Sequence, residues 1–328
     1  MLFQIPKLPA ELRIVHLNQR VKAQRQRIEQ AIDSKDKGSS FLTRLKKQIE
    51  KSKAKRKDKN QQKTGNVYVL DFKGDVFVNA VDQLREEITL ILSVAKPDQD
   101  RVVLRLESPG GAVHGYGLAA AQLVRLRDAG FELIICVDKV AASGGYMMAC
   151  IANQIISAPF AVVGSIGVVA QLPNFNKLLK KHDIDYEVFT AGEYKRTVTV
   201  FGENSDQGKQ KFEQELQQTH ELFKHFVEKY RPKLNVEQVA TGEHWYGEDA
   251  LKLNLVDELK TSDAYLLDLI EQNDVYLIQT RHKPTLGEKL GLQAASMARV
   301  AIPACSEVLS EQMQRLAQKS VLFRDPNV

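Results

Sequence analysis

The sequence predicts an α/β protein, a layered domain of mainly parallel strands alternating with helices. Three observations point there. From residue 67 to residue 190, short runs rich in Val, Ile and Leu alternate with stretches that repeat apolar residues at helical spacing. Residues 140–176 contain no charged side chain, which marks a buried segment. Two Gly-rich turns directly follow predicted strands, and in open α/β sheets ligands gather beyond the carboxyl ends of the strands.

Residues 1–64 read as a helical, basic N-terminal arm or linker. Within it, Leu12, Val15, Leu17, Val21, Ile28 and Ile32 recur loosely at helical spacing among Arg, Gln and Lys, which suits an exposed helix with a narrow apolar stripe. Residues 44–63 hold ten Lys and Arg against Glu50 and Asp58, so the formal +5 of the chain is concentrated here and the remainder is slightly acidic. Such a run suits a solvated linker or an anionic membrane surface. Interleaved aromatics and a nucleic-acid fold are both missing, so nucleic acid is not expected as a partner. Two Ser-x-x-Lys strings in the arm, at Ser34 and Ser52, are chance matches in a lysine-rich tract. No signal-peptide hydrophobic region is visible at the start.

Residues 65–270 form the main domain. Strands are expected at 67–72, 102–106, 133–137, 154–157 and 186–190, and helices at 81–93, 114–127, 146–152 and 174–181. A long helix follows at 205–230, and residues 256–270 close the domain. The C-terminal tail, 271–328, shows apolar stripes at 286–290 and at Cys305, Leu309, Met313 and Leu316, which suit helices packed on a neighbouring subunit or a membrane surface. At 328 residues and 43% hydrophobic, the chain has ample material for a core and is not a disordered protein. Cys136, Cys150 and Cys305 lack metal-ligand spacing, so neither a disulfide framework nor a zinc site is expected.

The uncharged run is long enough to raise the question of a membrane span. Gly144, Gly145, Pro159, Gly164, Gly167 and Pro173 punctuate it, however, and Asn153 and Gln154 lie inside it, so a buried core segment is the better reading. Within the run, Ser143 precedes two glycines and a helical stretch. There a serine is either a helix N-cap or a nucleophile whose developing charge lies near free N–H groups. In Glu107-Ser108-Pro109-Gly110-Gly111, the proline presets a turn and the glycines let backbone amides point outward. Together, a glycine amide after one strand and a serine after the next can face one reacting carbonyl, the geometry of an oxyanion hole. The base stays open between the seven histidines and a lysine of lowered pKa, for which Lys195 is the candidate.

Several motifs in fixed order resemble a known family. They are Glu107-Ser108-Pro109-Gly110-Gly111-Ala112-Val113-His114-Gly115-Tyr116-Gly117, VDKVAASGGYMMAC at 137–150, SAPFAVVGSIGVVAQLPNFN at 157–176, Thr190-Ala191-Gly192-Glu193-Tyr194-Lys195-Arg196-Thr197, and ATGEHWYG at 240–247. The resemblance is to the signal peptide peptidase A family of serine peptidases and covers residues 67–270. It implies a crotonase-like, ClpP-like spiral of β-β-α units and a serine endopeptidase with a Ser-Lys dyad. In that scheme Ser143 is the nucleophile, Lys195 the general base and Ser165 the hydroxyl that orients the lysine, while the amides of Gly111 and Gly144 form the oxyanion hole. No metal or organic cofactor is required. The family also implies peptide or unfolded polypeptide substrates, such as exported or membrane-associated chains or signal-peptide remnants. A homo-oligomer that shares the dyad between subunits is implied as well, at the inner membrane facing the periplasm. The family implies an N-terminal membrane anchor, whereas this sequence begins in what resembles the segment just after it, so the expectation is either a shortened sequence or a soluble form. A crotonase-fold enzyme acting on acyl-CoA and a catalytically silent scaffold are the alternatives.

Overall fold

The computed structural model describes residues 11–33 and 65–281. Its contacts divide into Arg13–Gln279, which holds the site, and a second unit, Met1–Leu12 with Thr280–Val328, of which only residues 11, 12, 280 and 281 are described. The elements in chain order begin β1 (Glu11–His16), α1 (Leu17–Asp33), β2 (Asn66–Lys73), α2 (Val81–Val94), β3 (Arg101–Glu107), α3 (Val113–Asp128), β4 (Glu132–Val137), β5 (Val140–Ala142), α4 (Gly144–Ala149), β6 (Gln154–Ser157) and β7 (Val162–Gly164). They continue α5 (Asn176–Lys181), α6 (Asp206–Tyr230), α7 (Val236–Val239), β8 (His244–Tyr246), α8 (Gly247–Lys252), β9 (Glu258–Leu259), α9 (Ser262–Gln272) and β10 (Asp274–Arg281).

One seven-stranded sheet runs in the order β1-β10-β2-β3-β4-β6-β9, and a small sheet runs β5-β7-β8. From β10 to β9 every pairing is parallel. The chain visits the large sheet with β4 and the small one with β5, then forms α4; it repeats the move with β6 and β7. This is the β-β-α spiral expected from the sequence, and the α/β class stands.

Strand alternation builds the two layers. Val102, Leu104 and Leu106 of β3 and Leu133, Ile135 and Val137 of β4 face the larger cluster, which also holds Ile88 of α2 and Leu123 of α3. Val103, Ile134 and Cys136 face the other way, with Leu266 and Leu269 of α9. Both faces of these strands are therefore covered, as the near-continuous Val, Ile and Leu runs require.

Two segments differ from expectation. Residues 11–16, read as the start of a helix, form edge strand β1, and the Asn18 side chain ties the start of α1 to the backbone of Ile270, Asn273 and Val275. Pairing at a sheet edge outweighs a weak helical stripe there. Residues 186–190, read as a strand, are irregular and exposed, because no sheet edge reaches them. The short strands β5, β7 and β8 were not foreseen. The basic run 44–63 and the apolar stripes of 286–316 lie outside the described residues. Among the described residues no helix is long and apolar enough to cross a membrane.

Candidate active site

The small sheet sets the site. β5 and β7 run in parallel with Ala142 opposite Gly164, and the Ser143 N–H donates to the Gly164 carbonyl at 2.8 Å. Ser143 follows at φ 51° and ψ −119°, a backbone conformation that costs a non-glycine residue about 1–3 kcal/mol and persists only where its surroundings enforce it. It occupies the N-cap position of α4, yet its side chain makes no capping bond. Ser205 and Thr261, at the N-caps of α6 and α9, do accept from the Gly208 and Ala264 amides. Ser143 is half-buried, and among the described residues its hydroxyl has no hydrogen-bond partner. The capping explanation for this serine therefore fails.

The Gly turn packs directly against it. Ser108 forms a parallel bridge with Ala141, donating to the Val140 carbonyl and accepting from the Ala142 amide. Gly110 then takes φ +89°, and a Cβ placed there would lie 2.7 Å from the Ser143 Cβ and 2.9 Å from the Gly144 nitrogen. On its other side, a Cβ at Gly111 would lie 2.5 Å from the Val76 carbonyl oxygen, and the Ala112 amide donates to that same oxygen at 2.9 Å. Among the described residues neither the Gly111 nor the Gly144 amide has a hydrogen-bond acceptor. Two free amides thus lie in the segments that meet at Ser143, one in the Gly110-Gly111 turn and one at the residue after the serine.

Ser165 mirrors Ser143 one repeat later. It also follows a small-sheet strand, has φ 51°, is half-buried, and donates its amide to the Glu243 carbonyl at 2.7 Å. The preceding Gly164, at φ +97°, lies under Trp245, whose Cε3 would be 2.8 Å from an added Cβ. The β5–β7 register makes the two serines neighbours. Lys195 is elsewhere: it lies on an exposed loop, its amide donates to the Gly192 carbonyl, and among the described residues its ammonium has no partner. The structure therefore brings together Ser143, Gly111, Gly144 and Ser165, and does not join Lys195 to them.

The remaining candidates are engaged otherwise. His220 meets the Ile166 carbonyl at 3.2 Å, His225 pairs with Glu228 and His16 with Asp274, and no described histidine hydrogen-bonds Ser143. The Cys136 thiol is buried and its pKa is pushed up to about 12 by desolvation, so it stays protonated; burial raises that of Cys150 as well. Among the described residues no group of three or more His, Cys, Asp or Glu is placed to hold a metal ion.

Comparisons with known proteins give the family. Residues 125–276 match the model described as Peptidase family S49, and residues 5–123 match Peptidase family S49 N-terminal. The chain belongs to peptidase family S49, a family of serine-type peptidases, as its motifs led one to expect. It is 58% identical over 237 residues to Probable protease SohB of Haemophilus influenzae, which spans 72% of this chain and 67% of that protein. It is 56% identical over 231 residues to the protein of the same name from Buchnera aphidicola subsp. Acyrthosiphon pisum, spanning 70% and 68%. The matches thus reach about two thirds of these relatives' length. A solved structure, the 1510-N membrane protease specific for a stomatin homolog from Pyrococcus horikoshii, covers 70% of this chain and 98% of its own at 16% identity and a TM-score of 0.38, too remote to transfer any residue.

Proposed function

We propose that the chain hydrolyses peptide bonds with Ser143 as nucleophile and Lys195 as general base. The observation that carries this reading is Ser143 itself: a strained, uncapped serine with a free hydroxyl, followed by the unpaired Gly144 amide and packed against the turn that carries the unpaired Gly111 amide. Lys195, as the neutral amine that a base requires, takes the Ser143 proton while the oxygen attacks the substrate carbonyl, and returns it to the leaving amine. Water then repeats the cycle on the acyl-enzyme. The Gly111 and Gly144 amides hold the oxyanion at both steps, and the Ser165 hydroxyl orients the amine.

Lys195 reaches Ser143 from a neighbouring subunit of a homo-oligomer. The loop that carries it supports this: it is exposed, and it presents large apolar side chains such as Ile184, 51% exposed, and Phe189, 89% exposed, which a second copy would cover. The substrates are exported or membrane-associated polypeptides or signal-peptide remnants, met at the inner membrane. The basic residues of 44–63 suit an anionic surface.

The test is hydrolysis of a denatured, fluorescently labelled protein by the wild type, Ser143→Ala and Lys195→Ala. Loss of at least about 10³-fold in both variants, with intact assembly, is expected. Wild-type turnover by Ser143→Ala would overturn the reading.

A further inference from the structure

Behind the Gly110-Gly111 turn lies a closed pair of buried hydroxyls, Ser108 Oγ and Tyr116 Oη, 2.6 Å apart, both residues fully inaccessible. Three glycines make room for them. A Cβ at Gly74 would fall 2.3 Å from Tyr116 Oη and 2.4 Å from Ser108 Oγ, one at Gly145 would fall 3.1 Å from Ser108 Cβ, and one at Gly144 would fall 2.3 Å from Tyr116 Cγ.

The polarity of the chain of bonds follows from its ends. Asp75 offers a carbonyl oxygen, which only accepts, so the single phenol proton of Tyr116 points to it at 3.1 Å. The Ser108 hydroxyl must then donate to Tyr116. Its oxygen in turn accepts from the Gly110 N–H at 3.2 Å. Burial raises the Tyr116 pKa above the ordinary phenol range, which keeps that proton in place. With Gly110 committed to Ser108, the next amide, Gly111, is the one left without an acceptor beside Ser143.

We propose that Tyr116 is a positioning residue for the oxyanion hole, its hydroxyl fixing the Gly111 side through Ser108 and Gly110 while its ring seats Gly144 on the other side. One side chain thereby sets the separation of both donors. The proposal rests on the reading of Ser143, Gly111 and Gly144 given above. Tyr116→Phe keeps the ring and breaks the chain at its middle; Ser108→Ala breaks it beside Gly110.

The experiment is the saturation kinetics of an alkyl fluorophosphonate probe, which builds a tetrahedral, negatively polarised centre on the nucleophile. Tyr116→Phe is expected to lower the maximal labelling rate about 10-fold with the half-saturating probe concentration unchanged. Ser108→Ala should do the same and carries the test alone if Tyr116→Phe does not fold. The double variant should be no slower than the slower single one, because both cut one chain. A wild-type maximal rate in the folded variants, or a loss confined to half-saturation, would overturn the proposal. Ser143→Ala runs alongside: if it stays unlabelled while Tyr116→Phe labels normally, only the role of Tyr116 falls. If Ser143→Ala labels like the wild type, the underlying site reading falls and takes this inference with it.

Discussion

Gly144 offers the sharpest perturbation of the site, because one methyl group tests both its packing and its chemistry. In Gly144→Ala the new Cβ would sit 2.3, 2.5 and 2.8 Å from Tyr116 Cγ, Cδ2 and Cβ, distances no real Cβ tolerates. Both residues are buried and the tyrosine is held by its hydroxyl, so neither can swing clear. Overpacking of this kind costs about 1–3 kcal/mol, a fall in Tm of several degrees for a domain of this size. The amide would also shift relative to Ser143, and loss of one oxyanion donor lowers kcat by about 10²–10³-fold. Gly117→Ala is the matched control: it lies on α3, a Cβ there meets nothing within 4 Å, and alanine in a helix is stabilising by about 0.5–1 kcal/mol. Thermal denaturation and initial rates on one peptide substrate read both effects. Gly144→Ala with wild-type Tm and kcat would refute the reasoning, as would equal damage in Gly117→Ala.

Three further outcomes are expected. The Asp75 carboxylate accepts from the Asn79 side chain and from the Asn79 and Phe77 amides, and these bonds, the Asn79 side chain foremost, lower its pKa. A lowered carboxylate pKa contributes stability that is present above the ordinary Asp range and lost as pH falls through the folded value. The turn behind Gly111 should therefore loosen only at strongly acid pH, and Asp75→Asn should remove that acid-side change in proteolytic nicking near Phe77. Arg231 is buried and grips both oxygens of Asp257 at 2.8 Å and the Asn254 carbonyl, so Arg231→Ala should lower urea stability by about 2–4 kcal/mol; a change under about 0.5 kcal/mol would contradict its role. Inactive Ser143→Ala and Lys195→Ala subunits, unfolded and reassembled together in equal amounts, should recover about a quarter of wild-type activity if the dyad spans two copies. No recovery in a mixed oligomer would place both residues in one subunit.

Much of this fold was legible because local pattern and tertiary environment agree. The apolar runs at 102–106 and 133–137 are central strands buried on both faces, and the helical spacing at 205–230 is a real helix. The segments that misled are those whose state depends on a neighbour. Residues 11–16 became a strand because the β10 edge was available, and 186–190 did not because no edge was. β5, β7 and β8 have three residues each, too few to show a period. At the site, the Gly-Gly turns and the serine after an apolar run were readable. That Ser143 does not cap its helix was not, because capping is a matter of one torsion. The Ser108–Tyr116 pair gave no sequence signal beyond the glycines at 74, 144 and 145, whose common purpose appears only when all three close on the same two hydroxyls.

The most direct test of the central claim is the site of covalent modification. The wild-type chain is treated with a fluorophosphonate, digested, and its adduct located by tandem mass spectrometry. A single adduct on Ser143, absent from the Lys195→Ala protein, is the predicted result. An adduct on Ser165 or any other hydroxyl, with Ser143 unmodified, would contradict the assignment of the nucleophile.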